Sequence, residues 1–231
     1  MYGVVLFEPS APSFADVMTP VPNAPIQASV RQFELDTILL LACKSGDFIL
    51  ASLAIGDGAN VDYISEGDSC LIHATRLNHL SIVKLLLEKS VCARYAPESG
   101  HNALFVAVIY GHDEIVRTLL NARVQINPRD QNGGTPLCQA ALKNHLSTVK
   151  ILLEYGARVD IYTNGNTTPL MHAVSHQNYE MVKLLLEHGA KVDVTSIFVG
   201  TVWNIVSRYP RQHRYHRYTA SRIRDLLKRY Q

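Results

Sequence analysis

Thr135-Pro136-Leu137 recurs as Thr168-Pro169-Leu170, 33 residues further along the chain. Related triplets stand in the same phase on either side, Asn102-Ala103-Leu104 before and Thr201-Val202-Trp203 after. Ser69-Cys70-Leu71 and Thr37-Ile38-Leu39 continue the series, with one residue missing between them. Self-similarity at a fixed period of this length is the sequence signature of a repeat protein.

The second half of each unit repeats as well. Gly111-His112 leads to Ile115-Val116 and Leu119-Leu120, and Asn78-His79 leads to Ile82-Val83 and Leu86-Leu87. Ile82, Val83, Leu86 and Leu87 have the spacing of an apolar stripe on one helix face. A stripe of this kind needs a neighbouring unit to cover it, so stacking of units supplies the core.

Local chemistry within the unit predicts where each helix begins and ends. Thr135 can cap a helix whose first turn holds Pro136, where the missing N–H costs nothing. Gly156 and Gly189 suit the left-handed ending of a helix. The sequence from Asp130 to Gly134 is typical of a turn. Each unit is therefore expected to run turn, helix, loop, helix.

These residues resemble the ankyrin consensus, T-P-L-H-x-A-A followed by G-H-x-E-I-V-x-x-L-L-x-x-G-A-x-V-N. The resemblance covers about six units, from residue 34 to residue 194 with a degenerate final unit to Gln231. It implies an all-α ankyrin-repeat solenoid of stacked helix-turn-helix units with turn fingers. The first-helix histidine of that family is replaced here, by Leu40, Ile72, Phe105, Cys138 and Met171.

The two ends depart from the pattern and divide the chain into three parts. Residues 1–32 contain five prolines and few charges, and we expect an extended or disordered arm. Packing of its apolar stretches, Val4 to Phe7 and Phe14 to Met18, on the first repeat or on a partner is the alternative. Residues 33–194 hold repeats 1–5. Residues 195–231 form a degenerate C-terminal capping repeat, about eight residues longer than the period allows, with the extra length around 208–218.

Composition narrows the class of protein. Of 231 residues, 47% are hydrophobic and 18% charged, which favours a folded chain with a substantial core. No apolar run reaches the ~18 residues of a membrane helix, and the N-terminus lacks the basic start of a secretory signal. Four cysteines without a C-x-x-C pair predict reduced, buried thiols. We expect a cytoplasmic protein, with nuclear location or delivery into a host cell as alternatives.

Motifs for catalysis are missing from the sequence. It contains no G-x-G-x-x-G, no G-x-x-x-x-G-K-[ST], no H-E-x-x-H and no G-x-S-x-G. Cys138 and His145 occupy repeated structural positions, which argues against a thiol–base pair. We therefore expect no enzyme activity, no cofactor and no metal site.

The resemblance implies instead a protein-binding surface on the concave face, built from the ends of the first helices and from the fingers. An apolar centre of this surface with flanking cations has the composition of a binding hot spot. We expect it to bind a peptide or folded protein with acidic groups near an apolar anchor. Packing between neighbouring helices is the alternative role for Leu77, Ile109 and Leu142. The predicted partner-binding residues are Arg76, Leu77, Ile109, Tyr110, Leu142, Lys143, His176, His101, Tyr162 and Phe198.

A basic C-terminal segment raises a second functional class. Residues 201–231 carry a net charge of +7, whereas the remainder of the chain carries −5. A solvated capping loop is the simplest role for this charge. Binding of nucleic acid, of an acidic protein or of an anionic surface is the alternative. The candidate anion or nucleic-acid contacts are Arg208, Arg211, Arg214, Arg217 and Tyr215.

The leading hypothesis is thus a protein-interaction adaptor, with a nucleic-acid- or chromatin-associated factor as the alternative. Small ankyrin arrays also occur in pathogen effectors that capture host proteins, and the sequence does not distinguish this origin from a host regulator.

Overall fold

The computed structural model describes residues 24–208 and 214–231. This part of the chain contains twelve helices and one two-stranded antiparallel hairpin, in which Ile64 pairs with Ser69 and Ser65 with Asp68. The elements are α1 Ala24–Ser45, α2 Phe48–Gly56, β1 Ile64–Ser65, β2 Asp68–Ser69, α3 Cys70–Arg76, α4 Leu80–Glu88, α5 Ala103–Tyr110, α6 Asp113–Asn121, α7 Pro136–Leu142, α8 Leu146–Glu154, α9 Pro169–Ser175, α10 Tyr179–Glu187, α11 Val202–Ser207 and α12 Arg214–Lys228.

The helices stack in two rows. The first-helix row runs α1, α3, α5, α7, α9, α11, each helix packing on the next, and the second-helix row runs α2, α4, α6, α8, α10, α12 in the same way. Neighbouring members of the two rows also pack together in pairs, from α1 with α2 to α11 with α12. This arrangement confirms the predicted all-α solenoid. Among the described residues, no helix is both long and apolar enough to cross a membrane.

Side-chain caps fix the start of most first helices. Thr135 accepts a hydrogen bond from Cys138 N at 3.4 Å, with Pro136 in the first turn of α7, as predicted. A side-chain oxygen at this position satisfies a backbone N–H that has no partner within the helix. The same role falls to Ser69, Asn102, Thr168 and Thr201 at the starts of α3, α5, α9 and α11.

The loop inside each of the first five helix pairs contains one left-handed residue. Gly111, at φ +70°, ends α5 and turns the chain into α6. Gly46, Asn78, Asn144 and Gln177 take positive φ at the corresponding loops of the other pairs. Glycine, and to a lesser degree asparagine, tolerates this conformation best. Gly156 and Gly189 also have positive φ after the second helices, as predicted.

The core follows the predicted stripe with one exception. Ile82, Val83 and Leu86 are fully buried in α4, but Leu87 is only partly buried. Leu85 is buried instead, because α4 is enclosed on more than one side by the neighbouring pairs.

The thiol prediction is right for three of the four cysteines. Cys43, Cys70 and Cys138 are buried, whereas Cys92 is exposed, and this corrects the prediction for that residue. Cys92 lies after α4, outside the helices, in the stretch that leads to the next finger.

Both ends differ in detail from the sequence-based boundaries. Helix α1 begins at Ala24, so residues 24–32, assigned above to the arm, are helical, and the rest of the arm lies outside the described residues. At the other end, α12 has 15 residues where α10 has nine. Part of the extra length around 208–218 thus lengthens the last second helix, on which Ile223, Leu226 and Leu227 are buried.

Candidate protein-binding surface

The ends of α3, α5, α7 and α9 form a row across the stack, because these helices pack side by side and end at the same repeat position. We call this row the helix-end row. Its members include seven predicted partner-binding residues: Arg76, Leu77, Ile109, Tyr110, Leu142, Lys143 and His176.

The centre of the helix-end row is apolar and open to solvent. Leu77 is 48% exposed, Tyr110 is 53% exposed and Leu142 is 42% exposed, so packing between neighbouring helices does not bury these side chains. Ile109 is half-buried, which fits the alternative role predicted for it, packing between neighbouring helices. Exposed apolar side chains gathered in this way are typical of interaction sites.

Four of the predicted residues meet around one cleft. Arg76, His101, Ile109 and Tyr110 line a cavity of about 260 Å³. A larger cavity of about 480 Å³ lies beside it and shares the lining residues Asp68, Pro97 and Ser99. The cleft therefore lies between the helix-end row and the fingers that precede α3 and α5.

The rings at this cleft are held in place by their neighbours. The Tyr110 ring stacks on His112, with centroids 5.8 Å apart and planes 13° apart. The His101 ring lies 5.2 Å from the Phe105 ring, and its Nε2 is 3.7 Å from Asp130 Oδ2. A side chain that is already ordered loses less entropy when a partner binds.

The predicted cationic rim is largely neutralised. Arg76 forms an ion pair with Asp68 at 2.7 Å, and Lys44 forms one with Glu66 at 3.5 Å. Both carboxylates belong to the finger that holds β1 and β2. Lys143 has no ion pair among the residues that the structure describes, so it remains the cation beside the apolar centre.

Histidines tie the helix-end row together, and sequence reasoning missed this feature. In each case the ring Nε2 lies within hydrogen-bond distance of a backbone carbonyl oxygen of the preceding helix pair. The contacts are His79 with Lys44 O at 3.4 Å, His112 with Arg76 O at 3.3 Å, His145 with Ile109 O at 3.1 Å and His176 with Leu142 O at 2.8 Å. The four carbonyls occupy one repeat position. The recurrence of His79, His112 and His145 every 33 residues was the signal that could have revealed it.

His176 is therefore exposed to solvent and also takes part in a contact between helix pairs. It was predicted to bind a partner, and its ring is exposed, but its Nε2 is engaged by Leu142 O. Asn178 caps α10 at the position where the earlier pairs have histidine, and His176 supplies the carbonyl contact instead.

The fingers are joined by backbone hydrogen bonds. Asn164 N donates to Asn132 O at 2.8 Å, and Ile197 N donates to Gly165 O at 3.1 Å. Tyr162 and Phe198 are exposed on these fingers, as a binding role requires. Neither lines the Tyr110 cleft: Tyr162 lies at a separate cavity of about 100 Å³, and the Phe198 ring lies against Gly165.

The structure describes only some of the predicted anion-binding residues. Arg208 is exposed at the end of α11. Arg211 lies outside the described residues, as do the side chains of Arg214, Tyr215 and Arg217 in the first turn of α12. Four further cations on or just after α12, which sequence reasoning did not single out, are exposed: Arg222, Arg224, Lys228 and Arg229.

Cys138 has the environment of a structural thiol. Burial raises the pKa of this thiol, and its Sγ donates to Ile161 O at 3.2 Å. A thiol in this state is a poor nucleophile, since reactivity belongs to the thiolate. Over residues 24–208 and 214–231, no group of three or more His, Cys, Asp or Glu side chains is arranged to hold a metal ion.

A family model described as ankyrin repeats (3 copies) matches residues 39–130 and 123–196. The chain belongs to the ankyrin-repeat family. The match confirms the resemblance, while the count of six units stays a prediction, since the last helix pair lies beyond the matched residues. Ankyrin repeats are generally protein–protein interaction modules and are typically non-enzymatic. No curated protein matches this ankyrin-repeat chain.

Proposed function

We propose that this chain is an adaptor that captures one partner protein or peptide on the helix-end row, with Tyr110 at the centre of the contact. The observation that carries the proposal is the exposed Tyr110 ring, stacked on His112 at the edge of a cleft. Tyrosine combines a large apolar area with a hydroxyl that can hydrogen-bond, and it is enriched among binding hot spots.

The arrangement favours a partner with an apolar anchor. Leu77 holds the repeat position of Tyr110 in the preceding helix pair, and Leu142 ends the first helix of the following pair, so both offer exposed apolar surface to an aliphatic or aromatic side chain that docks at Tyr110. An acidic group near the anchor would meet Lys143. It would gain less at Arg76, where Asp68 already neutralises the charge.

Rigidity supports this mode of binding. The stacked helices and the histidine contacts between pairs hold the row in one shape before the partner arrives. Affinity then comes from complementarity of two surfaces, with little ordering cost on this side.

The test is affinity capture from cell lysate with wild type and Tyr110→Ala/Leu142→Ala, followed by titration calorimetry with the captured protein. The matched control is Tyr155→Ala, which removes an exposed tyrosine at the end of α8 in the other helix row. We expect the double variant to weaken binding at least tenfold, about 1.4 kcal/mol, and the control to bind as wild type. Equal capture by a folded double variant would remove the proposal.

A second candidate function is attachment to nucleic acid through α12. It is supported by the exposed cations Arg222, Arg224, Lys228 and Arg229 and by the exposed rings of Tyr218 and Tyr230 in the same C-terminal stretch, where Arg222 lies 5.8 Å from the centroid of the Tyr218 ring. Cations that neutralise phosphates make binding salt-dependent, and aromatic rings allow bases to stack.

Binding of a labelled single-stranded oligonucleotide at several salt concentrations tests this candidate. Arg224→Gln/Lys228→Gln should weaken binding and flatten its salt dependence, whereas Tyr110→Ala/Leu142→Ala should leave it unchanged. Lack of binding by wild type at low salt removes this second candidate alone.

A further inference from the structure

The first helix pair exposes an unusual amount of apolar side chain. On α1, Phe33 is 61% exposed, and on α2, Ile49 and Leu53 are 72% and 61% exposed. The full set, which we call the end patch, comprises Val30, Phe33, Leu41, Phe48, Ile49, Leu50 and Leu53.

Several residues of the end patch occupy positions that later pairs bury. Leu41 corresponds to His73 and Val106, which are buried, and Leu50 corresponds to Ile82 and Ile115, which are fully buried. The later pairs have a preceding pair to cover these positions, whereas the main packing partners of α1 and α2 among the described elements are each other, α3 and α4. The end patch is therefore the open counterpart of an internal stacking surface.

One residue of the patch shows that this end is not simply an uncovered internal unit. Ile49 stands where the later second helices have Ser81, Glu114, Ser147 and Glu180, all of them exposed. The terminal unit of a repeat array normally needs a polar outer face for solubility. Here a position that is polar in the other pairs has become apolar at the end of the stack.

We propose that the end patch is the interface of a two-fold symmetric homodimer, in which α1 and α2 of one copy pack on α1 and α2 of a second. Its seven side chains expose on the order of 600 Å² of apolar surface, at the upper end of the largest apolar patch on a typical monomer and below the ~800 Å² per partner of a standard interface, to which the polar residues around the patch would add. A symmetric interface must be complementary to itself.

The charges around the patch meet that condition. Helix α2 has no charged residue between Asp47 and Asp57, so two copies meet there without like-charge repulsion. On α1, Arg31 and Glu34 are exposed one turn apart beside the apolar stripe. In an antiparallel pairing of two α1 helices whose two-fold axis passes between Gln32 and Phe33, Arg31 of each copy would lie opposite Glu34 of the other.

The test is the mass of the full chain in solution, measured by light scattering and sedimentation over a range up to about 100 µM, which covers a micromolar dissociation constant. Wild type should have twice the chain mass of 25.7 kDa at the upper end of this range. Ile49→Lys/Leu53→Lys should be monomeric throughout. The matched control Ile197→Lys/Phe198→Lys alters two even more exposed apolar residues on a finger and should remain dimeric.

A charge exchange tests the geometry without touching the apolar residues. Arg31→Glu should weaken the dimer roughly tenfold, and Arg31→Glu/Glu34→Arg should restore it. Tyr110→Ala/Leu142→Ala should dimerise as wild type, which separates this interface from the helix-end row.

Two results would overturn the dimer. The first is a monomeric wild type at the highest concentration, and dimerisation only after removal of residues 1–23 would then make that segment the cover of the end patch. The second is a dimer that Ile49→Lys/Leu53→Lys leaves intact.

Discussion

His145 Nε2 lies 3.1 Å from the carbonyl oxygen of Ile109, 36 residues earlier in the chain. Because a carbonyl only accepts, the ring nitrogen is the donor, and this fixes the tautomer of His145. The bond joins the start of α8 to the end of α5, so it links two neighbouring helix pairs at the row where Tyr110 lies.

We predict that His145→Ala lowers the free energy of unfolding by about 1–2 kcal/mol, because the substitution leaves the half-buried Ile109 carbonyl without its donor. The matched control is His188→Ala. The His188 ring is exposed, and its Nδ1 contacts Leu184 O in the last turn of α10, so this contact does not join two helix pairs. That control should change stability by less than ~0.5 kcal/mol. Urea unfolding followed by circular dichroism measures both, and equal losses would show that the contact between pairs adds nothing.

The left-handed glycine before α2 leads to a second prediction. A Cβ at Gly46, where φ is +81°, would lie 2.6 Å from Cε1 of His79, the histidine that contacts Lys44 O. Gly156 has nearly the same φ, +83°, but open space around its Cβ position. Both alanine variants should lose about 1–2 kcal/mol to backbone strain.

Gly46→Ala should lose about 1 kcal/mol more than Gly156→Ala, because His79 must move and its contact with the Lys44 carbonyl is broken. The comparison of the two unfolding curves isolates this difference, since the strain is common to both. If Gly156→Ala loses as much free energy of unfolding as Gly46→Ala, the displacement of His79 does not change stability.

Local features of the fold were predictable from the sequence because their causes are local. The Thr135 cap, the Pro136 first turn and the positive φ of Gly156 each depend on a few consecutive residues, and the 33-residue period then places them in space. The exposed Tyr110 followed from its place at the end of a first helix.

Features that join different units were not predictable in the same way. The charge of Lys44 is evident in the sequence, but its pairing with Glu66, 22 residues later, depends on how the finger folds back over the end of the preceding first helix. The His176 contact with Leu142 O likewise joins residues 34 positions apart. Such contacts are set by the stacking geometry.

Asp130 leads to a third prediction, because its buried carboxylate organises a finger. Oδ1 accepts hydrogen bonds from Asn132 N at 2.9 Å and Gly134 N at 2.8 Å, and Oδ2 accepts one from Gln139 Nε2 at 3.0 Å. Asp130→Ala should cost about 2–3 kcal/mol, since it leaves these donors unpaired. It should also speed hydrogen exchange at the Asn132 and Gly134 amides.

Asp160 provides the comparison, because it is exposed at the start of the next finger. Asp160→Ala should stay within ~0.5 kcal/mol of wild type. Unfolding in urea and hydrogen exchange read by mass spectrometry test the pair. Unchanged exchange in Asp130→Ala would show that backbone hydrogen bonds alone hold the finger.

The last prediction concerns acid stability and rests on His172. Burial, with a smaller contribution from the neighbouring His176, lowers the pKa of His172 from 6.5 to about 4. The unfolded chain therefore binds this proton more tightly than the folded chain, so stability falls as the pH drops from 6.5 through 4. Between about pH 7.5 and about pH 5.5, this one group should remove about 1 kcal/mol from the free energy of unfolding.

His172→Leu cannot take up the proton, so its stability should fall by about that much less over the same interval, whatever its stability at neutral pH. The pKa of His73 is also lowered, first by burial, but His73 is present in both proteins and its contribution cancels. His188→Leu, which removes an exposed histidine, should keep the wild-type pH dependence. Urea titrations of the three proteins at both pH values provide the comparison, and parallel losses in wild type and His172→Leu would show that His172 is not the group responsible.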